Sequence, residues 1–172
     1  LRRTATCPRC AGRGVVARGE LAPLLTEMRR IARLAPPARR DLDQCHCTPE
    51  TKLHRVLALH EADALVGRRV LVLGDDDLMS LAIERVVRRL GSGRPIALLA
   101  AVDVDPEVVD VVHQGLAGAS FATSCTLHDL REPLPPRLRA RFDTVLTDPP
   151  YTVAGATLFL SRAVEALAKG SP

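Results

Sequence analysis

The sequence predicts an α/β fold: a partial parallel sheet with flanking helices, preceded by a small cysteine-containing helical segment. Three observations lead to it. Val70 to Leu73 is an unbroken apolar run that stops at Gly74, as a strand buried on both faces does. Leu78, Leu81, Ala82, Val86 and Leu90 then recur at helical spacing, so a tight turn joins that strand to an amphipathic helix. Further apolar runs over 95–102, 121–126 and 142–147 are interleaved with helical stretches at 107–116 and 154–168, the alternation expected of a parallel sheet.

With 172 residues the chain has room for one domain with a sizeable core, or for part of a larger one. Hydrophobic residues make up 47% and aromatics only 2%, so the core must be built from Leu, Val, Ala and Ile. No apolar run approaches the ~18–20 residues of a membrane span, and no secretory signal is evident. The first residue is Leu, and a cut or incomplete start is the expectation. Charge is uneven: residues 1–70 carry 14 Lys and Arg against 7 Asp and Glu, residues 71–172 carry 10 against 13. The basic half reads as a solvated Arg-rich surface or as a nucleic-acid or partner contact. Two close cysteine pairs without a signal peptide point to a reducing, cytoplasmic compartment and to metal binding, not disulfides.

Residues 1–66 form the expected N-terminal linker and helical segment, and 67–172 the catalytic domain. Cys7-Pro8-Arg9-Cys10-Ala11-Gly12-Arg13-Gly14 is similar to one repeat of a chaperone-type zinc knuckle. One repeat supplies two thiolates, while a closed tetrahedral zinc site takes four ligands. Cys45 and Cys47 are the candidates to complete it, with His46 as a substitute; small buried or exposed thiols are the alternative. Between the pairs, Leu21, Leu24, Leu25, Met28 and Ile31 mark a helix over 20–34, ended by Pro36 and Pro37. Thr48-Pro49-Glu50 starts another, with a capping hydroxyl, a first-turn proline and an acid near the positive helix end. It runs to about His60 with Leu53, Val56 and Leu57 inward. A polar turn containing Gly67 leads to the central strand, and Gly91-Ser92-Gly93 makes the return loop after the next helix.

The turn after the central strand carries the chemistry. Gly74 lets the backbone approach a nucleotide-like group, and the following helix presents free N–H groups. In place of further glycines stand Asp75, Asp76 and Asp77, which repel an anion and attract a cation. Asp103 closes the second strand 28 positions after Asp75, where an acid grips ribose hydroxyls in doubly wound folds. Asp105, just before Pro106, is expected to cap the next helix. Asp129, after the third strand, is a candidate acceptor for an adenine amino group. The fourth strand delivers Asp148-Pro149-Pro150-Tyr151, similar to the amine-handling motif of adenine and cytosine amino-methyltransferases. Its prolines fix the loop and leave carbonyls free as acceptors. Tyr151, the chain's one tyrosine, offers a face to a base or cation.

The order of elements resembles the class I S-adenosylmethionine-dependent methyltransferase fold, a Rossmann-like sheet of about seven strands in its complete form. Four strands are readable here, so a C-terminal truncation is expected. Within that fold, Cys7 to Gly14, Thr48 to Thr51, Val72 to Leu78, His128 to Pro135 and Asp148 to Thr152 resemble the branched-chain polyamine synthases, the N(4)-bis(aminopropyl)spermidine synthase family. The resemblance implies aminopropyl transfer from decarboxylated S-adenosylmethionine to a nitrogen of spermidine or a related polyamine. Gly74, Asp75, Asp103 and Asp129 would hold the co-substrate, and Asp148, Pro149, Pro150 and Tyr151 the acceptor. Asp75, Asp76, Asp77 and Asp148 would orient the nitrogen and take its proton. The charge argument agrees: the decarboxylated form ends in an ammonium, and one contact near 4 Å is worth about 4 kcal/mol at an effective dielectric of about 20 before desolvation. The competing expectations are an amino-methyltransferase acting on DNA or RNA, and an inactive fragment. An acidic catalytic half disfavours a nucleic-acid backbone, so the expected partner is a polyamine, with no membrane and with a homodimer as the candidate assembly.

Overall fold

The computed structural model describes residues 21–90 and 96–170. The cysteines at 7 and 10 and the return loop at 91–93 lie outside these residues. Two helices come first, α1 (Leu21–Ala32) and α2 (Pro49–Glu61). The strands and helices β1 (Arg69–Leu73), α3 (Met79–Leu90), β2 (Leu98–Asp103), α4 (Pro106–Leu116), β3 (Thr123–Leu127), β4 (Thr144–Thr147) and α5 (Val153–Ala166) follow. The four strands form one parallel sheet in the order β3-β2-β1-β4.

Period-two alternation along β1 and β2 feeds two apolar layers. Val70, Val72, Leu99 and Ala101 face a core shared with α1, α2, α3 and α4. Leu71, Leu73, Ala100 and Val102 face a smaller one with Phe142, Ala166, Leu130, Leu134 and Leu138. Both faces are thus covered, which is why these strands read as continuous apolar runs. Leu21, Leu24, Met28, Leu53, Val56 and Leu57 belong to the first core, so α1 and α2 pack as part of the same layer as α3.

The helix starts follow local chemistry. Thr48 caps α2 by accepting from the Thr51 N–H at 3.2 Å, with Pro49 in the first turn. Asp105 caps α4 by accepting from the Glu107 N–H at 3.0 Å. Thr152 caps α5 through the Gly155 N–H at 3.0 Å. At the entry to α3, Leu78 sits at φ 52°, a left-handed conformation that costs an L-residue about 1–2 kcal/mol. Its side chain is wholly buried, which is worth about 1.5–3 kcal/mol and offsets that cost. The last expected strand is shorter than the run 142–147: Phe142 makes an isolated parallel bridge with Leu167, beyond the end of α5. No helix among the described residues is long and apolar enough to cross a membrane.

Candidate active site

In this strand order β2 lies on one side of β1 and β4 on the other, so the chain direction across the sheet reverses at β1. Ligands of open α/β sheets bind in the crevice beyond the carboxyl ends of the strands at such a point. Register places Leu73 opposite both Val102 and Thr147, which brings the residues after β1, β2 and β4 to one rim. The Asp turn, Asp103 and Asp148 therefore meet there.

Gly74 occupies φ +69°, and a Cβ on it would come within 3.0 Å of the Phe159 ring. Glycine is thus favoured both by the backbone and by the close packing of the Phe159 ring. Asp103 organises the turn from below: its carboxylate accepts the Asp75 N–H at 2.6 Å and the Asp105 N–H at 2.8 Å. Burial raises its pKa and those two N–H bonds oppose the rise. A carboxylate has about four lone-pair sites, so capacity remains for a ligand hydroxyl.

The expectation that Asp75, Asp76 and Asp77 present one anionic face is corrected by their surroundings. Asp75 is fully buried and turned onto Ser80, whose hydroxyl donates to Oδ2 and whose N–H lies 3.2 Å from Oδ1. Burial pushes its carboxyl up to about 7, against the lowering effect of the Ser80 bonds. Asp77 is 5% exposed and already ion-paired. Its Oδ1 accepts the Cys47 N–H at 2.6 Å and its Oδ2 the Arg55 Nη1 at 2.9 Å. Lys52, 2% exposed, donates to the Asp77 carbonyl and lies 3.8 Å from Oδ1. Only Asp76 of the three is partly open to solvent. Its carboxyl is pushed up to about 6, chiefly by burial and by the charges of Asp77 and Asp103.

Asp148, beyond β4, accepts Arg55 Nη2 at 2.5 Å on Oδ2 and the Tyr151 hydroxyl at 3.2 Å on Oδ1. Tyr151 is otherwise exposed. Pro150 packs close to Gly155, where any Cβ would clash at 2.6 Å, so the start of α5 and the Asp-Pro-Pro loop are held together. Asp129 stands in the loop after β3, one residue beyond His128, whose N–H donates to the Asp103 carbonyl at 2.9 Å, and is gripped by Arg131 through Nε at 2.8 Å and Nη2 at 2.5 Å. That guanidinium holds its carboxyl below the usual range.

Arg55 and Lys52 are the residues that reading the sequence missed. They stand three apart on α2, next to the inward Leu53, Val56 and Leu57, and a polar pair beside an apolar stripe was the available signal. The loop 45–47 is a second omission, because it runs along the Asp turn. Cys47 is half-buried and its thiol is pushed up to about 12, mainly by burial; Cys45 is exposed. Among the described residues no group of three or more His, Cys, Asp or Glu is placed to hold a metal ion.

The rim thus gathers carboxylates around two internal cations at the switch point, and the partly exposed Asp76 and Asp148 are the ones a cationic ligand could reach. Comparison with known proteins agrees in fold and in sequence. The chain is 37% identical over 165 residues to N(4)-bis(aminopropyl)spermidine synthase of Thermus thermophilus, covering 95% of this chain and 46% of that protein. The synthase of Thermococcus kodakarensis is 34% identical over 163 residues, with 94% and 44% covered. The crystal structure of the Thermus thermophilus branched-chain polyamine synthase, in complex with N4-aminopropylspermidine and 5'-methylthioadenosine, superposes with a TM-score of 0.79 at 34% identity, over 95% of this chain and 45% of that one. A putative RNA methyltransferase from Pyrococcus horikoshii shares the fold alone, with a TM-score of 0.66 at 19% identity over 84% of this chain and 69% of that one. The chain spans less than half the length of the curated relatives it matches. Residues 23–171 match the branched-chain polyamine synthase A C-terminal domain, and the chain belongs to that family.

Proposed function

We propose that this chain forms the nucleotide-binding part of a cytoplasmic aminopropyltransferase. It would move an aminopropyl group from decarboxylated S-adenosylmethionine to a nitrogen of spermidine or a related polyamine. The observation that carries the reading is the acidic rim at the switch point, with Asp76 partly open to solvent and Asp148 beyond the neighbouring strand β4. Residues 67–172 supply the sheet and its carboxylates, and 1–66 supply Lys52 and Arg55. A homodimer is the proposed assembly.

The polyamine nitrogen attacks the carbon beside the sulfonium with its lone pair. A C–N bond forms, the C–S bond breaks, and its electrons return to sulfur as the neutral thioether methylthioadenosine. The nitrogen's proton passes to a carboxylate or to water. Asp148 and the Pro149 and Pro150 carbonyls orient the amine, Asp103 and the Gly74 turn hold the nucleoside, and Asp129 faces the adenine end. Asp76, the open member of the triplet, meets the ammonium of the aminopropyl tail. Asp75 supports the turn through Ser80, and Asp77 anchors Lys52 and Arg55.

Turnover tests the reading: the complete protein with spermidine should release methylthioadenosine from decarboxylated S-adenosylmethionine and show little reaction with the ordinary form. Equal turnover with both, or methyl transfer to a nucleic acid, would sink it.

Structural zinc on Cys7, Cys10, Cys45 and Cys47 is part of the same proposal. Cys45 and Cys47, free thiols in the loop beside Asp77, would supply two of the four ligands, and zinc there would brace that loop.

A further inference from the structure

Resting on the amine-site reading above, we infer that Arg55 is an internal cation seated in the acceptor's place, and that the first ammonium of the polyamine displaces it from Asp148. Arg55 reaches from α2 to carboxylates that follow two neighbouring strands, β1 and β4, bonding Asp77 at 2.9 Å and Asp148 at 2.5 Å. A guanidinium and an alkylammonium make the same charge-assisted N–H···O contacts, so what satisfies Asp148 now is chemically what the substrate would bring.

The two ends of this bridge are unequal. The Asp77 side chain is 5% exposed and has other partners: the Cys47 N–H at 2.6 Å and Lys52. The Asp148 side chain is 33% exposed, and its other partner is the hydroxyl of exposed Tyr151. Breaking the bridge at Asp77 would disturb a buried pair, whereas the Asp148 end is in reach of water, where such pairs contribute little. Arg55 is itself 27% exposed and has the long stem needed to swing while one nitrogen stays on Asp77.

Displacement also serves the chemistry. A guanidinium left on Asp77 stands beside the arriving nitrogen, and its like charge opposes the hold of the Asp148 carboxylate on the protonated form. The amine must be unprotonated to attack. The same exchange selects cations: a neutral acceptor cannot replace the guanidinium on Asp148.

Calorimetry with spermidine on the complete protein separates the outcomes. Arg55→Met removes the competing charge and keeps an unbranched apolar stem, and should bind spermidine about fivefold more tightly at low salt. Arg55→Lys keeps a cation and should stay close to wild type. Weaker or unchanged binding by a folded Arg55→Met, checked by circular dichroism, overturns the displacement and leaves the amine site standing. No spermidine binding by the wild type overturns both. A readout that needs no variant is the 15N signal of the Arg55 guanidinium, which should shift as spermidine is added; an unmoved signal with spermidine bound also refutes the inference.

Discussion

Replacing Asp75 by Asn tests whether this buried acid is a charge or a structural hydrogen-bonding group. Its carboxyl is raised from 3.8 to about 7 by burial, while Ser80 pulls the other way. An acid whose folded pKa lies above its unfolded value binds more protons when folded. Stability from this group is therefore full below the unfolded pKa and is lost as pH rises from about 4 to about 7. At 1.36 kcal/mol per pKa unit, the whole rise corresponds to at most about 4 kcal/mol. Asn removes the ionisation but keeps the geometry: its oxygen accepts the Ser80 N–H and its amide donates to the Ser80 hydroxyl. Chemical denaturation at pH 5, 6, 7 and 8 gives the comparison. Near pH 5, already about one unit above the unfolded pKa, the variant should be the more stable by about 1–2 kcal/mol, and the gap should widen with each further unit up to pH 7. By pH 8 the variant should be the more stable by up to about 4 kcal/mol. Asp76 titrates in the same direction in both proteins and largely cancels in the difference. A difference that does not change with pH would refute the argument, and Asp75 would have to be placed in contact with water or with a cation.

Three further outcomes are expected. Asp148→Asn keeps shape and removes charge; in the complete protein it should lower the transfer rate at least ~100-fold with decarboxylated co-substrate still bound. Normal turnover would make Asp148 a positioning group only. Asp103→Ala should weaken methylthioadenosine binding by roughly 1–3 kcal/mol, and should also lower the melting temperature, since the Asp75 and Asp105 N–H groups lose their acceptor. Unchanged affinity with a lower melting temperature would leave Asp103 a purely structural role. For metal, the purified protein should carry about one zinc per chain and Cys10→Ser should lose it; folded, metal-free wild-type protein would remove the site.

The strands and helices were legible because their signals are local. Val70 to Leu73 is buried on both faces, so it had to be apolar throughout. Thr48, Asp105 and the prolines after them mark helix starts through contacts two or three residues away. Boundaries moved where tertiary contacts intervene: Leu78 leaves the helix for a left-handed turn because its side chain has a buried place to fill, and Phe142 pairs with Leu167 instead of extending β4.

Sequence alone determined the parallel α/β fold, the Gly74 turn, the acids after three strands and the Asp-Pro-Pro-Tyr loop. Each of these is written in the spacing of neighbouring residues. Which acids carry free charge was decided by the tertiary structure. Three consecutive aspartates look equivalent along the chain, yet one is buried on Ser80, one is partly open, and one is paired with cations from α2. Arg55 lies 22 residues from Asp77 and 93 from Asp148, so its bridge exists only once α2 is packed beside the sheet. Charge pairing depends on distance through space and on burial, and neither is fixed until the layers close.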